Sequence, residues 1–271
     1  MFSPQIHIVF NSREDERITK PIVENPPNKL YYFKAIVRKT NQKDVNLEFF
    51  EKNIKFIKKR VLSLEIIPRE VDYTNYIEII QELSKIIQYE RESNPNCHIF
   101  INVSSGSKMT SIASTEASRL WDCEIYYLYS SEYVPNGIGP RHKGEFYIME
   151  PITFPINKPD KIYVKTLKLI QELVTNKYSN KDYDTSKRKF IYFKRLIDEL
   201  ESEGVVKLDK EHDDPRSRKS ALYMKIRHFL DPLKEDLHFI ELSDDKRNKK
   251  VFLTQKGKDV LKIFKYYIWL D

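Results

Sequence analysis

Short apolar runs alternate with helical patterns through the first 150 residues. Gln5–Phe10 (QIHIVF), Leu30–Val37 (LYYFKAIV), Leu62–Ile67 (LSLEII), Cys97–Val103 (CHIFINV), Glu124–Tyr129 (EIYYLY) and Glu145–Met149 (EFYIM) are rich in β-branched and aromatic residues. Polar or proline-bearing segments bound each run, so each reads as a strand. Between them, Leu47, Phe50, Ile54 and Ile57 recur at helical spacing. So do Tyr76, Ile79, Ile80, Leu83, Ile86 and Ile87, and later Ile112, Ala113, Glu116, Ala117 and Leu120. Strands that alternate with helices predict an α/β, Rossmann-like, mostly parallel six-stranded sheet covered on both faces.

The pattern changes after Pro151, Pro155 and Pro159, which punctuate a stiff connection. This predicts a first domain over 1–152, a proline-rich linker over 153–160 and a second domain over 161–271. In the second, Tyr163–Thr175 and Ser186–Glu203 read as amphipathic helices, the latter with Phe190, Phe193, Ile197 and Leu200 on one face and Gly204 at its end. A third helix runs from Arg216 or Ser217 to Lys234. His238–Leu242 and Lys249–Leu253 form a hairpin through the polar turn SDDKRN, and Thr254 caps a closing helix that reaches Ile268. That order predicts a winged helix-turn-helix domain.

Composition sharpens this division. The chain has 271 residues, 40% hydrophobic and 13% aromatic, enough for two cores. No apolar run approaches the ~20 residues that span a bilayer, and the opening MFSPQIHIVFNSRED lacks the features of a secretory signal. Two cysteines, Cys97 and Cys123, are too few for a disulfide scaffold or a structural zinc site of their own. These features predict a cytoplasmic protein. Residues 161–271 carry 26 Lys and Arg against 19 Asp and Glu, a surplus of +7 that equals the formal net charge of the whole chain. The first 160 residues are balanced, so a polyanionic partner is expected for the second domain alone.

The third helix of that domain turns Leu222, Ile226, Phe229, Leu230 and Leu233 inward. Arg216, Lys219, Ser220, Tyr223 and Arg227 share another face, with the groups that contact phosphates and base edges in a major groove. Lys246, Arg247, Lys249 and Lys250 sit at or beside the hairpin tip and are placed to touch the phosphate backbone. Double-stranded DNA is the expected partner.

In the first domain, the fourth strand ends in Ile101-Asn102-Val103-Ser104-Ser105-Gly106-Ser107-Lys108, followed by a helix. A parallel strand delivers this loop to the carboxyl edge of the sheet. Small residues let backbone N–H groups approach an anion, the hydroxyls of Ser104, Ser105 and Ser107 can donate to phosphate oxygens, and Lys108 and the helix N-terminus add positive charge. Neither a Walker A loop nor a G-x-G-x-x-G follows a strand.

The segment HIFINVSSGSKMTSIASTEASRL resembles the signature of CRISPR-associated Rossmann-fold (CARF) domains, whose fourth strand leads into a loop of the type Asn-x-[ST]-[GS]-G-[ST]-K. Here Ser105 stands where many relatives carry glycine. IHIVF followed by NSREDERITKPI is similar to the first strand and loop of the same family. The ending Leu253-Thr254-Gln255-Lys256-Gly257 resembles winged-helix regulators fused to such domains. The resemblance implies a homodimer with two copies of the loop facing each other, binding a cyclic oligoadenylate, with cyclic tetra-adenylate the first choice, as ligand rather than cofactor. It also implies ligand contacts from Asn11, Ser12 and Arg13 of the first loop and from Ser105, Gly106, Ser107 and Lys108 of the second. Residues 130–143 would cover the site, with Arg141 or His142 reaching a phosphate.

No catalytic or metal residue is assigned. The six histidines are scattered, and no H-E-x-x-H or G-x-S-x-G occurs. The R-x4–6-H match from Arg91 to His98 crosses Pro95 and enters a strand. The expected function is a ligand-responsive transcription regulator. The alternative is a CRISPR ancillary nuclease, or a ring nuclease that cleaves the cyclic ligand, assisted by Ser12 and Lys108. A dimeric reader predicts half-sites about one turn apart, ~34–36 Å, or a multiple of that.

Overall fold

A computed structural model describes residues 3–38, 42–135, 140–179, 188–208, 214–245 and 248–267, with 42–43 described by backbone alone. The chain divides into two compact units, 1–158 and 159–271.

The first unit is built on β1 (Gln5–Phe10), β2 (Lys29–Val37), β4 (Glu65–Asp72), β5 (His98–Asn102), β6 (Glu124–Tyr133) and β7 (His142–Met149). A two-residue β3 (Gln42–Lys43) pairs with the far end of β2. The strand order is β4-β2-β1-β5-β6-β7, parallel except for β3 and β7. This is the Rossmann-like sheet that the pattern predicts. Helices α1 (Asp15–Glu24) and α2 (Leu47–Arg60) cover one face. Ile18, Ile22, Phe50 and Ile57 pack there on Val9, Leu30 and Tyr32. Helices α3 (Tyr76–Ser93) and α4 (Lys108–Trp121) pack together, joined by a hydrogen bond of 2.7 Å from Trp121 Nε1 to Ser84 Oγ.

Three expectations need correction here. The third predicted strand, Leu62–Ile67, lies at Glu65–Asp72, and Leu62 is 91% exposed. Pro68 disguised it: a proline inside a strand is tolerated at a sheet edge, where β4 lies. NSREDERITKPI is no simple loop, because Asp15–Glu24 is helical with Pro21 inside it. The inner face of α4 is made by Thr110, Ala113, Ser114, Ala117, Ser118 and Trp121, whereas Ile112 is 55% exposed. Small residues let α4 lie close to its neighbours, and a hydrophobicity pattern undervalues them.

The second unit runs α5 (Lys161–Tyr178), β8 (Ile191–Tyr192), α6 (Phe193–Ser202), α7 (Pro215–Glu235), β9 (Ile240–Leu242), β10 (Lys250–Leu253) and α8 (Gln255–Phe264). β10 pairs antiparallel with both β8 and β9. Leu167, Ile170, Leu196, Leu200, Ile226 and Leu230 lie in its core. This is a winged helix. The second predicted helix begins at Phe193 rather than Ser186, because Ile191 and Tyr192 pair with Val251 and Lys250 as a third strand. Phe190 therefore precedes the helix, and Ser186 lies outside the described residues. Gly204 follows α6 with φ +66°, the left-handed turn that favours glycine. Thr254 accepts a hydrogen bond from Gly257 N at 3.0 Å and so caps α8, while Ile268 lies outside the described residues.

Candidate functional site

In the parallel part of the sheet, successive strands run outward from β1 to β2 and β4, then resume on the other side of β1 with β5 and β6. The chain reverses its direction of travel between β1 and β5. Loops leaving the carboxyl ends of two such strands diverge and leave a crevice, the usual ligand position in open α/β sheets. The loop after β1 holds Asn11, Ser12 and Arg13, and the loop after β5 holds Ser104–Lys108.

Asn11 is 1% exposed and wholly engaged inside the protein. Its amide donates to Asp44 Oδ2 at 2.8 Å and to the Asn46 carbonyl at 2.9 Å, and its carbonyl accepts from the Tyr32 hydroxyl at 2.8 Å. The structure places it as a tie between β1 and the segment before α2. Ser12 is buried and accepts from Glu14 N at 3.2 Å, while Arg13 is half-buried.

The second loop divides its hydroxyls between two tasks. Ser104 Oγ accepts from Leu128 N at 2.7 Å and ties the loop to β6. Ser107 caps α4: its Oγ accepts from Thr110 N at 3.1 Å, and its own N–H donates to Thr110 Oγ1 at 2.8 Å. Ser105 is 4% exposed, and its Oγ has no hydrogen-bond partner. A buried hydroxyl without a partner costs roughly 1–3 kcal/mol, and a ligand oxygen would satisfy it. Gly106 has φ +85°, and a Cβ there would lie 2.5 Å from Thr110 Oγ1 and 2.7 Å from Phe10 Cβ. Lys108 is exposed at the start of α4. Donor hydroxyl, bare backbone, helix N-terminus and lysine form an arrangement suited to an anion.

Beside the first loop lies a cluster of which Arg141 and His142 were read from the sequence and Glu14 and Arg17 were not. Arg17 is 4% exposed and donates to the Leu128 carbonyl through Nε at 3.0 Å and Nη2 at 2.6 Å. Its own carbonyl accepts from Asn102 Nδ2 at 2.9 Å. Arg17 thus joins α1, β5 and β6 under the crevice. Glu14 accepts from the backbone N–H groups of Arg141 and His142 at 3.1 and 3.2 Å, which brings the first loop against the start of β7. Arg141 Nε is buried without a partner. Of residues 130–143, positions 136–139 lie outside the described residues. Arg91 donates to the carbonyls of Trp121 and Asp122, so the Arg91–His98 pattern is occupied by structural contacts. Among the described residues no group of three or more His, Cys, Asp or Glu side chains could hold a metal ion.

In the second unit, Arg216, Lys219, Ser220, Tyr223 and Arg227 all lie exposed on α7, whose N-terminus Asp214 caps through Ser217 N at 2.7 Å. Tyr223 meets Phe193 edge to face at 5.2 Å, placing that face of α7 beside the start of α6. Tyr192, Lys194, Arg195, Asp198, Asn248 and Lys249 line a cleft of about 380 Å³ between the start of α6 and the wing. Lys194 and Arg195 are basic groups there that the sequence reading passed over. Lys250 lies over the Phe190 ring at 4.7 Å, on an aromatic sheet face with Phe252. Lys246 and Arg247 lie outside the described residues. No helix among the described residues is long and apolar enough to cross a membrane.

The fold defines a class: a Rossmann-like domain followed by a winged-helix domain. The order and the loop after β5 resemble those of a CARF domain joined to a winged helix. Residues 5–133 match the family model described as HFX_2341_N-like, N-terminal, and residues 164–265 match the DUF6293 C-terminal winged helix domain. No curated protein matches the chain. Among solved structures, the chain is similar to Enterococcus italicus Csm6 bound to cyclic hexa-2'-fluoro-hexa-dAMP, with 12% identity, a TM-score of 0.40, and coverage of 88% of this chain and 57% of that one. It is also similar to Can2 from Sulfobacillus thermosulfidooxidans in complex with cyclic tetra-adenylate, with 14% identity, a TM-score of 0.35 and coverage of 97% and 64%. Protein VC1899 from Vibrio cholerae matches with 11% identity, a TM-score of 0.37 and coverage of 97% and 65%. The chain therefore spans less than two thirds of the length of these structures.

Proposed function

We propose that this protein is a homodimeric, cytoplasmic transcription regulator that senses a cyclic oligoadenylate with its first domain and binds double-stranded DNA with its second. The observation that carries the reading is Ser105. Its hydroxyl is buried and unpartnered at the crevice edge, beside a glycine that leaves the backbone bare and at the N-terminus of a helix. Its neighbours Ser104 and Ser107 serve the loop itself, so Ser105, Gly106 and Lys108 make the ligand contacts, with Ser12, Arg13 and Arg141 at the rim. Asn11 supports the site from behind. The exposed α7 face and the surplus charge of the second domain support the DNA half.

Ligand changes operator affinity only by binding two arrangements of the dimer unequally. The deciding experiment is a thermal-shift screen of the full chain with cyclic tri-, tetra- and hexa-adenylate. A ligand at 100 times its Kd stabilises the native state by about 2.7 kcal/mol and raises Tm. No shift with any ring at millimolar concentration would remove the sensing half of the proposal.

A further inference from the structure

Glu14 occupies the position from which an N-cap side chain could serve α1, yet its carboxylate makes no cap hydrogen bond. It reaches instead to β7. Oε1 accepts from Arg141 N at 3.1 Å and Oε2 from His142 N at 3.2 Å, and Oε2 also lies 3.1 Å from Nδ1 of His142. Two successive backbone N–H groups that hold the two oxygens of one anion form a nest. The His142 ring closes the third side, with Arg17 Nη1 3.3 Å from its Nδ1 and 3.2 Å from its Nε2. The surroundings are cationic, with buried Arg17 beside the ring and Arg141, whose Nε has no partner. A phosphate offers the same pair of oxygens as a carboxylate, with acceptor capacity to spare.

We propose that the Arg141–His142 backbone and the His142 ring form a binding nest for a phosphodiester oxygen of the ligand, and that Glu14 is a built-in competitor for it. The proposal rests on reading the first domain as a nucleotide sensor. A ligand phosphate that enters the nest must displace the carboxylate, which sets a threshold on binding and releases the first loop from β7. The residue thereby tunes the ligand concentration at which the protein responds.

The test is calorimetric titration of the full chain, wild type, Glu14→Ala and Glu14→Gln, with cyclic tetra-adenylate and separately with inorganic phosphate. Both variants should bind cyclic tetra-adenylate about tenfold more tightly, the gain from removing a competitor that fills a site roughly nine-tenths of the time. Equal or weaker binding by the variants overturns the competitor role. If none of the three proteins binds cyclic tetra-adenylate, the sensor reading fails for that ring and the phosphate arm decides alone. Tighter phosphate binding by the variants sustains the nest, and no difference removes it. Should Glu14→Ala fail to fold, Glu14→Gln, which keeps the size of the side chain, carries the comparison.

Discussion

Gly106 lies against Phe10 so closely that a Cβ on the glycine would come within 2.7 Å of the phenylalanine Cβ. The loop after β5 is therefore pressed onto the end of β1, and the two crevice walls meet through a residue without a side chain. Gly106→Ala would add both this overlap and a strained left-handed backbone at φ +85°. The expected cost is about 1–3 kcal/mol of stability, together with loss of any nucleotide-induced rise in Tm. Urea denaturation and thermal shift on the same variant measure the two effects. A variant as stable as the parent would show that the loop yields freely.

The engagement of Asn11 leads to a second prediction. Asn11→Ala leaves the Tyr32 hydroxyl and Asp44 short of a partner inside the protein. A buried polar group left without its partner costs about 1–3 kcal/mol. Urea denaturation should show a loss of that size. Nucleotide affinity, measured below the new transition, should fall less than in Ser105→Ala, because Ser105 offers its hydroxyl and Asn11 does not.

How far the sequence reaches can be judged at these same residues. The alternation of strand and helix was legible because β1, β2, β5 and the first half of β6 are mostly apolar, and the Ser104–Lys108 loop because small residues and a lysine follow a buried strand. The 62–72 region misled because Pro68 interrupts a strand that needs no donor at its outer edge. Glu14, Arg17 and His142 were illegible as a group, since His142 lies 125 residues from Arg17 and 128 from Glu14 along the chain. Only pairing of β6 with β7 and the packing of α1 bring them together. The split between tying and unpartnered serines in one loop is equally invisible in sequence, because it depends on which hydroxyl meets Leu128 N.

His7 supplies a pH-dependent prediction. It is buried against Phe100 and Tyr126, and desolvation pushes its imidazole down to about 4 from 6.5. The folded state therefore holds His7 neutral, while the unfolded chain takes up a proton between those two values. Where the unfolded state binds more protons, stability falls as pH falls. Lowering the pH from 7.5 to 5 should cost about 2 kcal/mol through this residue alone. Denaturation of His7→Gln at both pH values should show a difference smaller by that amount, and an unchanged difference would mean that His7 protonates in the folded state.

The α7 face yields the prediction that most directly divides DNA binding from a merely solvated helix. Arg216, Lys219 and Arg227 are exposed on one side of it, and the pairing of Tyr223 with Phe193 holds that side next to the start of α6. A cation that contacts a phosphate releases a counterion on binding, so its removal lowers the slope of log affinity against log salt by about 1. A residue that reads a base edge instead relaxes preference at one position and costs about 1–3 kcal/mol. Lys219→Ala and Arg227→Ala should each weaken operator binding in one of these two ways, and Lys194→Ala in the first, since it lies in the cleft beside the wing. Lys250→Ala should change the salt slope least, because its ammonium lies over the Phe190 ring. Mobility-shift titrations at several salt concentrations separate these outcomes. Coincident lines for every α7 variant and the parent, with the same affinity at every salt concentration, would show that this face never meets a duplex.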